Sequence, residues 1–251
     1  MRFMIMHKTN ARWERGAVPS PELIARVGSL LGEAAKANVL LGAEGLRPSS
    51  EGVRLRFAGD TRTVTRGPFP GDHELPAGFS IFRVGSLDEA TLWASRLATV
   101  LGDVEIDVRP VTEAWDIGIV PRPEKVATRR YMALRKATAA SEAGVSLTAA
   151  QRAEMDRLID EARRTGVHVA TEALQPSARG RRYKNTREGV RFTDGPFAES
   201  KELIAGYIIV SADSLEDAAR WATRYVDVVE ADEVDVRELV PERGARSPDL
   251  R

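Results

Sequence analysis

One internal register constrains this chain more than any other feature: read against itself at an offset of 128 residues, the sequence repeats without a gap. Gly67-Pro68-Phe69 falls on Gly195-Pro196-Phe197, and "EIDVR" at 105–109 falls on "EVDVR" at 233–237. Trp93 falls on Trp221, Gly78 on Gly206, Met4 on Met132, and "GAEGLRPS" at 42–49 on "ATEALQPS" at 170–177. Chance does not hold one register over so much of a chain, so the sequence reads as a tandem duplication. The halves run over 1–116 and 129–244. They are joined by "IGIVPRPEKVAT" at 117–128, whose prolines suit a semi-rigid linker, and a tail follows at 245–251.

Each half predicts the same elements. "RFMIMHK" and "RYMALRK" are short apolar runs fit for a first strand. A helix follows in each: Ser20-Pro21 places proline at the first helical position, and Thr148 with Gln151 forms a capping box. Leu23, Val27, Leu30 and Leu31, matched by Met155, Leu158 and Ile159, make its buried stripe. A second strand, a hairpin, the "GPF" turn, a third strand, a helix opening at Ser86 or Ser214, and a last strand complete the unit. The order β-α-β-(hairpin)-β-α-β predicts an α+β fold of two tandem ferredoxin-like repeats, with helices on one face of each antiparallel sheet. The bare faces can then cover each other.

Composition narrows the function. Acidic and basic residues balance at 37 each, so no long-range field draws in nucleic acid or an anionic membrane. The basic run "ARGRRYKNTREGVR" reads as the solvated face of a hairpin. Absence of cysteine removes disulfides and thiolate metal sites. The apolar run in "MRFMIMHKTN" is too short for a signal peptide, and no segment has the length of a membrane span, which points to a cytoplasmic protein. Nucleotide-binding glycine motifs, a nucleophile elbow and metal-ligand spacings are missing, so neither a cofactor nor a metal is expected.

The run "TDGPFAESKE", followed by "AGYIIV", "SLEDAARWA" and "VDVREL", resembles the YCII-related proteins, in particular their DGPF-motif branch. The resemblance covers nearly the whole chain, most closely in its second half. It implies a ferredoxin-like unit that dimerises into an α/β barrel, so this chain would be a fused pseudo-dimer. It also implies a histidine–aspartate acid/base pair, a link to breakdown of aromatic compounds, and association with sigma factors. The first helices, at 21–37 and 149–165, contain no histidine, so a helix-borne histidine does not carry over.

Asp194, His168 and Glu172 are the candidate catalytic groups, with Glu199, Glu44 and Gly206 as candidate ligand-binding residues. An aspartate before glycine ordinarily accepts a hydrogen bond from the N–H two residues on, but here that residue is Pro196. The first half builds the same turn with Arg66, so the turn does not need a carboxylate. Glu44 and Glu172 occupy matched strand ends, where desolvation would raise a carboxyl pKa and an arginine would form a salt bridge. His168 replaces Leu40 on a face expected to be buried; His7 and His73 have less context. Gly206 and Gly78 interrupt apolar strands, as at a bulge or a close backbone approach. Two functions fit: a small-molecule pocket near the DGPF turn, with proton-transfer or lyase-type chemistry, or a non-catalytic regulatory module working with a sigma factor. Whether the chain is an enzyme stays open at this level.

Overall fold

A computed structural model describes residues 1–71, 74–197 and 203–241. The first half supplies β1 (Arg2–Lys8), α1 (Ala11–Glu14), α2 (Pro21–Lys36), β2 (Leu40–Gly45), β3 (Val53–Ala58), β4 (Thr61–Arg66), β5 (Pro76–Val84), α3 (Leu87–Leu101) and β6 (Val104–Pro110). The second supplies β7 (Arg129–Lys136), α4 (Ala139–Glu142), α5 (Ala149–Arg164), β8 (His168–Ala173), β9 (Gly180–Thr186), β10 (Gly189–Asp194), β11 (Ile204–Ser211), α6 (Leu215–Val229) and β12 (Glu233–Glu238).

The helix boundaries follow the capping chemistry. Ser20 Oγ accepts from the Leu23 N–H at 3.2 Å, and Ser86 and Ser214 do the same for Glu89 and Asp217 at 3.1 Å. Thr148 and Gln151 close a reciprocal box. Leu30 and Leu158 are buried, with Val27, Leu31 and Met155 packed at the core margin.

The strands form two six-stranded antiparallel sheets, β10-β9-β12-β1-β11-β2 and β4-β3-β6-β7-β5-β8. The sheets do not divide as the halves do. β1 and β2 of the first half pair with β11 and β12 of the second, and β7 and β8 pair with β5 and β6. Within each sheet the last, first, third and second strands lie side by side, but first and second come from one half, third and last from the other. The exchange is possible because β1 and β7 carry nearly the same pattern, so either fits the slot between third and last strands. The linker joins β6 directly to its antiparallel neighbour β7.

Alternation along β1 sorts its side chains between two cores. Phe3 and Ile5 face the helices with Tyr225 and Val226, while Met4 and Met6 join Phe79, Met132 and Ile209 between the sheets. The second sheet packs Tyr131 and Ala133 against α3 and α5 in the same way. The sheets are not closed into a continuous ladder; isolated bridges at Leu46–Val111 and Leu174–Leu239 join them.

Candidate functional site

Beneath α2, where β1 and β11 end and β2 runs along the sheet edge, a cavity of about 420 Å³ opens. Its wall is mostly apolar, with Leu23, Val27, Gly28 and Leu31 from the helix and Ile208 and Ala43 from the sheet. Trp13 and Ile117 also line it. Its lining also includes a few polar residues: His7, Glu44, Tyr207, Tyr225 and Thr112. A largely apolar cleft with a small number of convergent polar groups is what small-ligand sites look like.

The strand pattern places His7 there. As the next helix-facing position after Phe3 and Ile5, it points toward α6, where Tyr225 Oη lies 2.9 Å from its Nδ1. Opposite His7 on β11 stands Gly206. A side chain at Gly206 would put its Cβ 2.7 Å from His7 Cε1 and 2.7 Å from the Glu44 carbonyl oxygen, so glycine here lets ring and backbone approach. His7 is half-buried where it lines the cavity. Burial pulls its pKa down to about 4, leaving a neutral imidazole near pH 7. Burial likewise pushes the Tyr225 and Tyr207 hydroxyls above the usual phenol range, so both are donors rather than phenolates.

Glu44 shares a cross-strand position with Tyr207, so both side chains lie on the inter-sheet face of β2 and β11, opposite the helix-side face where His7 meets Tyr225. Glu44 reaches the cavity from its edge strand. Burial raises its carboxyl pKa, and the Arg130 guanidinium beside it counters only part of that effect. Arg130 is also held by Glu113, with Nη2 to Oε2 at 2.9 Å, so Glu44 does not have the cation to itself. Both sequence readings of Glu44 therefore apply at once: it is desolvated and it is ion-paired. Its matched residue Glu172 pairs with Arg2 at 2.5 Å, and Arg2 is the position that matches Arg130.

The other sequence candidates lie elsewhere. Asp194 ends β10, at the outer edge of the first sheet, where its exposed carboxylate accepts from Arg181 Nε at 2.6 Å. It also borders a shallower groove of about 370 Å³ with Arg179, Arg181 and Glu238. His168 and Glu172 sit on β8, the edge of the other sheet, with His168 Nε2 3.1 Å from Thr171 Oγ1. The three are thus distributed over two sheets and have separate partners. Gly206, by contrast, meets the Glu44 backbone beside the cavity that Glu44 helps to line. Glu199 and His73 lie outside the described residues.

The "GPF" turns act as corners in both halves. The Phe197 N–H donates to Ser177 Oγ at 3.1 Å and Ser177 in turn to Glu142; Phe69, Ser49 and Glu14 repeat the arrangement. Phe197 lies under the Arg182 guanidinium and Phe69 under that of Arg54. The amide of Phe197 is therefore committed to Ser177 and not to Asp194.

Sequence reading missed several groups. His7 had little context in the sequence and Tyr225 lay in the apolar stripe of its helix; their matched positions are Arg135 and Leu97. A difference between halves on an otherwise apolar face was the signal that marks them. The repeated D-x-R of "EIDVR" and "EVDVR" marks buried charges: Asp235 meets Lys8 at 2.9 Å and Arg182 at 2.6 Å. Asp107 meets Arg54 at 2.7 Å and Lys136 at 3.0 Å. Buried Arg109 reaches Ile204 O at 2.7 Å and Arg47 O, while Arg237 reaches Gln175 O, clamping backbone from different segments.

Among the described residues no group of three or more His, Asp or Glu side chains is arranged to hold a metal, and no helix is long and apolar enough to cross a membrane. Residues 130–243 match the family model of the YCII-related domain. No curated protein and no solved structure matches the chain.

Proposed function

We propose, from the YCII-related domain matched over the second half and the cavity in the fold, that this protein binds a small, mostly apolar molecule under α2 and supports proton transfer on it. The chain acts as a fused pseudo-dimer, a barrel-like pair in which each half completes the other's sheet. The carrying observation is the cavity itself, which combines apolar walls with a neutral imidazole and a phenol donor on the helix side of the sheet and the desolvated Glu44 on the edge strand that bounds it.

The roles follow from the chemistry. The His7–Tyr225 pair anchors a carbonyl or hydroxyl group by hydrogen bonding. Glu44, whose raised pKa brings it nearer to neutrality, gives and takes the proton. The site differs from the pocket near the DGPF turn expected from the sequence, because Asp194 faces solvent on an edge strand. Phenol and acetophenone serve as neutral aromatic probes: Trp13 fluorescence reads binding, and deuterium uptake at the acetophenone methyl group, followed by NMR, reads proton transfer. Binding that survives filling the cavity through Gly28→Leu would refute the site. Binding without deuterium uptake, or uptake unaltered by Glu44→Gln, would leave a binding module and remove the catalytic part.

A further inference from the structure

The face of the second sheet that corresponds to the cavity carries different chemistry. Where the first half has His7 opposite Gly206, the second has Arg135 opposite Gly78. Leu40, Ala43 and Ile208 border the first site and the helix-side core beside it; their matched positions are His168, Thr171 and Ser80. These three are already in one chain of contacts: Ser80 Oγ lies 3.0 Å from Thr171 Oγ1, which lies 3.1 Å from His168 Nε2. Register puts Arg135, Gly78, Ser80 and Thr171 on the same helix-covered face, since cross-strand partners share a face.

Arg135 is the unusual member. Its guanidinium has five donors and makes one long hydrogen bond, from Nη2 to Ala77 O at 3.3 Å. Among the described residues no carboxylate pairs with it, unlike Arg54, Arg130 and Arg182. Burial lowers its pKa with no anion to offset the effect. Gly78, at φ +151°, leaves the space above β5 into which the guanidinium extends; a Cβ there would collide with Arg135 Nη2 and with the Glu172 carbonyl oxygen at 2.5 Å. Arg135 is half-buried, and its Nε and Nη1, which make no hydrogen bond, stay accessible, so the guanidinium keeps open donors that an anion can engage.

We propose that this face is a second ligand site, taking a small molecule that bears an oxyanion, carboxylate or phosphate, with Arg135 as the fork that grips it and the Ser80–Thr171–His168 chain as neighbouring polar partners. The planar guanidinium suits two-point recognition of such groups. The neutral His168, its pKa lowered by burial and by Arg163, leaves the anion's negative charge to Arg135. The two sites thus divide the ligands: the first takes a neutral apolar molecule, the second an anion.

Benzoate and inorganic phosphate distinguish the two oxyanion sources. Titration calorimetry at constant ionic strength, up to about 10 mM anion, is compared between the wild type, Arg135→Met and Thr171→Val. Saturable binding of either anion, about tenfold weaker in Arg135→Met, weaker by a smaller factor in Thr171→Val and unchanged in Gly28→Leu, is expected. Methionine keeps the aliphatic stem of Arg135, and Thr171→Val is isosteric, so at least one variant reports on a folded protein. No binding of either anion to the wild type, or equal binding by wild type and both variants, would overturn the proposal.

Discussion

His7 Nδ1 and Tyr225 Oη, 2.9 Å apart in space and 218 positions apart in sequence, join the first strand to the last helix. The contact exists because the halves exchange strands: β1 lies between β11 and β12, under the helix that connects those two.

The enclosure of His7 makes stability depend on pH in a definite direction. Its folded pKa of about 4 lies below its ordinary 6.5, so the unfolded chain binds a proton first as pH falls. The contribution is complete above pH 6.5 and is lost between there and about pH 4, amounting to at most ~3 kcal/mol. Urea unfolding of wild type and His7→Gln across this range should show the variant losing less stability on acidification. Parallel losses would mean that His7 titrates normally.

Gly28 lies inside α2, lines the cavity, and has nothing within 4 Å of a Cβ built on it. Gly28→Leu should therefore raise stability by about 0.5–1 kcal/mol through the recovered helix propensity while occupying the ligand's space. Thermal unfolding with and without phenol measures both effects. A more stable variant that no longer responds to phenol is the expected result.

Ser177 and Asp194 offer a contrast within one motif. Ser177→Ala strands the Phe197 N–H in a buried corner and removes the hydroxyl's bond to Glu142, whose oxygen keeps the backbone N–H of residue 177, at a cost of about 1–3 kcal/mol. Asp194→Ala removes an exposed ion pair and should cost under about 0.5 kcal/mol. Denaturant midpoints of the two variants in one background would settle the order, and a larger loss for Asp194 would reverse this reading of the motif.

Asp235 is fully buried with Lys8 and Arg182 as partners. Burial alone would raise its pKa, but the two cations together hold the carboxyl below its ordinary value. Removing it in Asp235→Ala leaves cations enclosed without their shared anion, with an expected loss of about 3–5 kcal/mol. Equilibrium unfolding tests this, and a loss under about 1 kcal/mol would show that the cluster relaxes into solvent.

Much of the fold could be read from the residues. Ser20, Thr148, Ser86 and Ser214 fixed the helix starts, and the alternation in "RFMIMHK" placed Met4 and Met6 on one face, Phe3 and Ile5 on the other. The ownership of strands was not legible, because β1 and β7 are nearly interchangeable in pattern and only the three-dimensional pairing distinguishes them. For the site, Glu44 and Gly206 were visible as a matched carboxylate and a strand glycine. His7 was not, since Tyr225, which bonds its ring nitrogen, is 218 positions away. Asp194 attracted notice through its motif, although the amide it could have engaged is taken by Ser177 Oγ.

The strand exchange changes how the two matched sheet faces can acquire substitutions. In a pair of identical chains every replacement is made twice, so a change that suits one site is imposed on the other. Here each sheet holds one copy of every strand type, but the copies are encoded separately. His7 and Arg135, at the same place in two sheets, are independent letters of one message. A chain of this kind can alter one site while its mutual dependence on the other half keeps both parts folded. Severed at the linker, neither half would retain a complete sheet of its own, so the freedom to diverge is available only to the uncut chain.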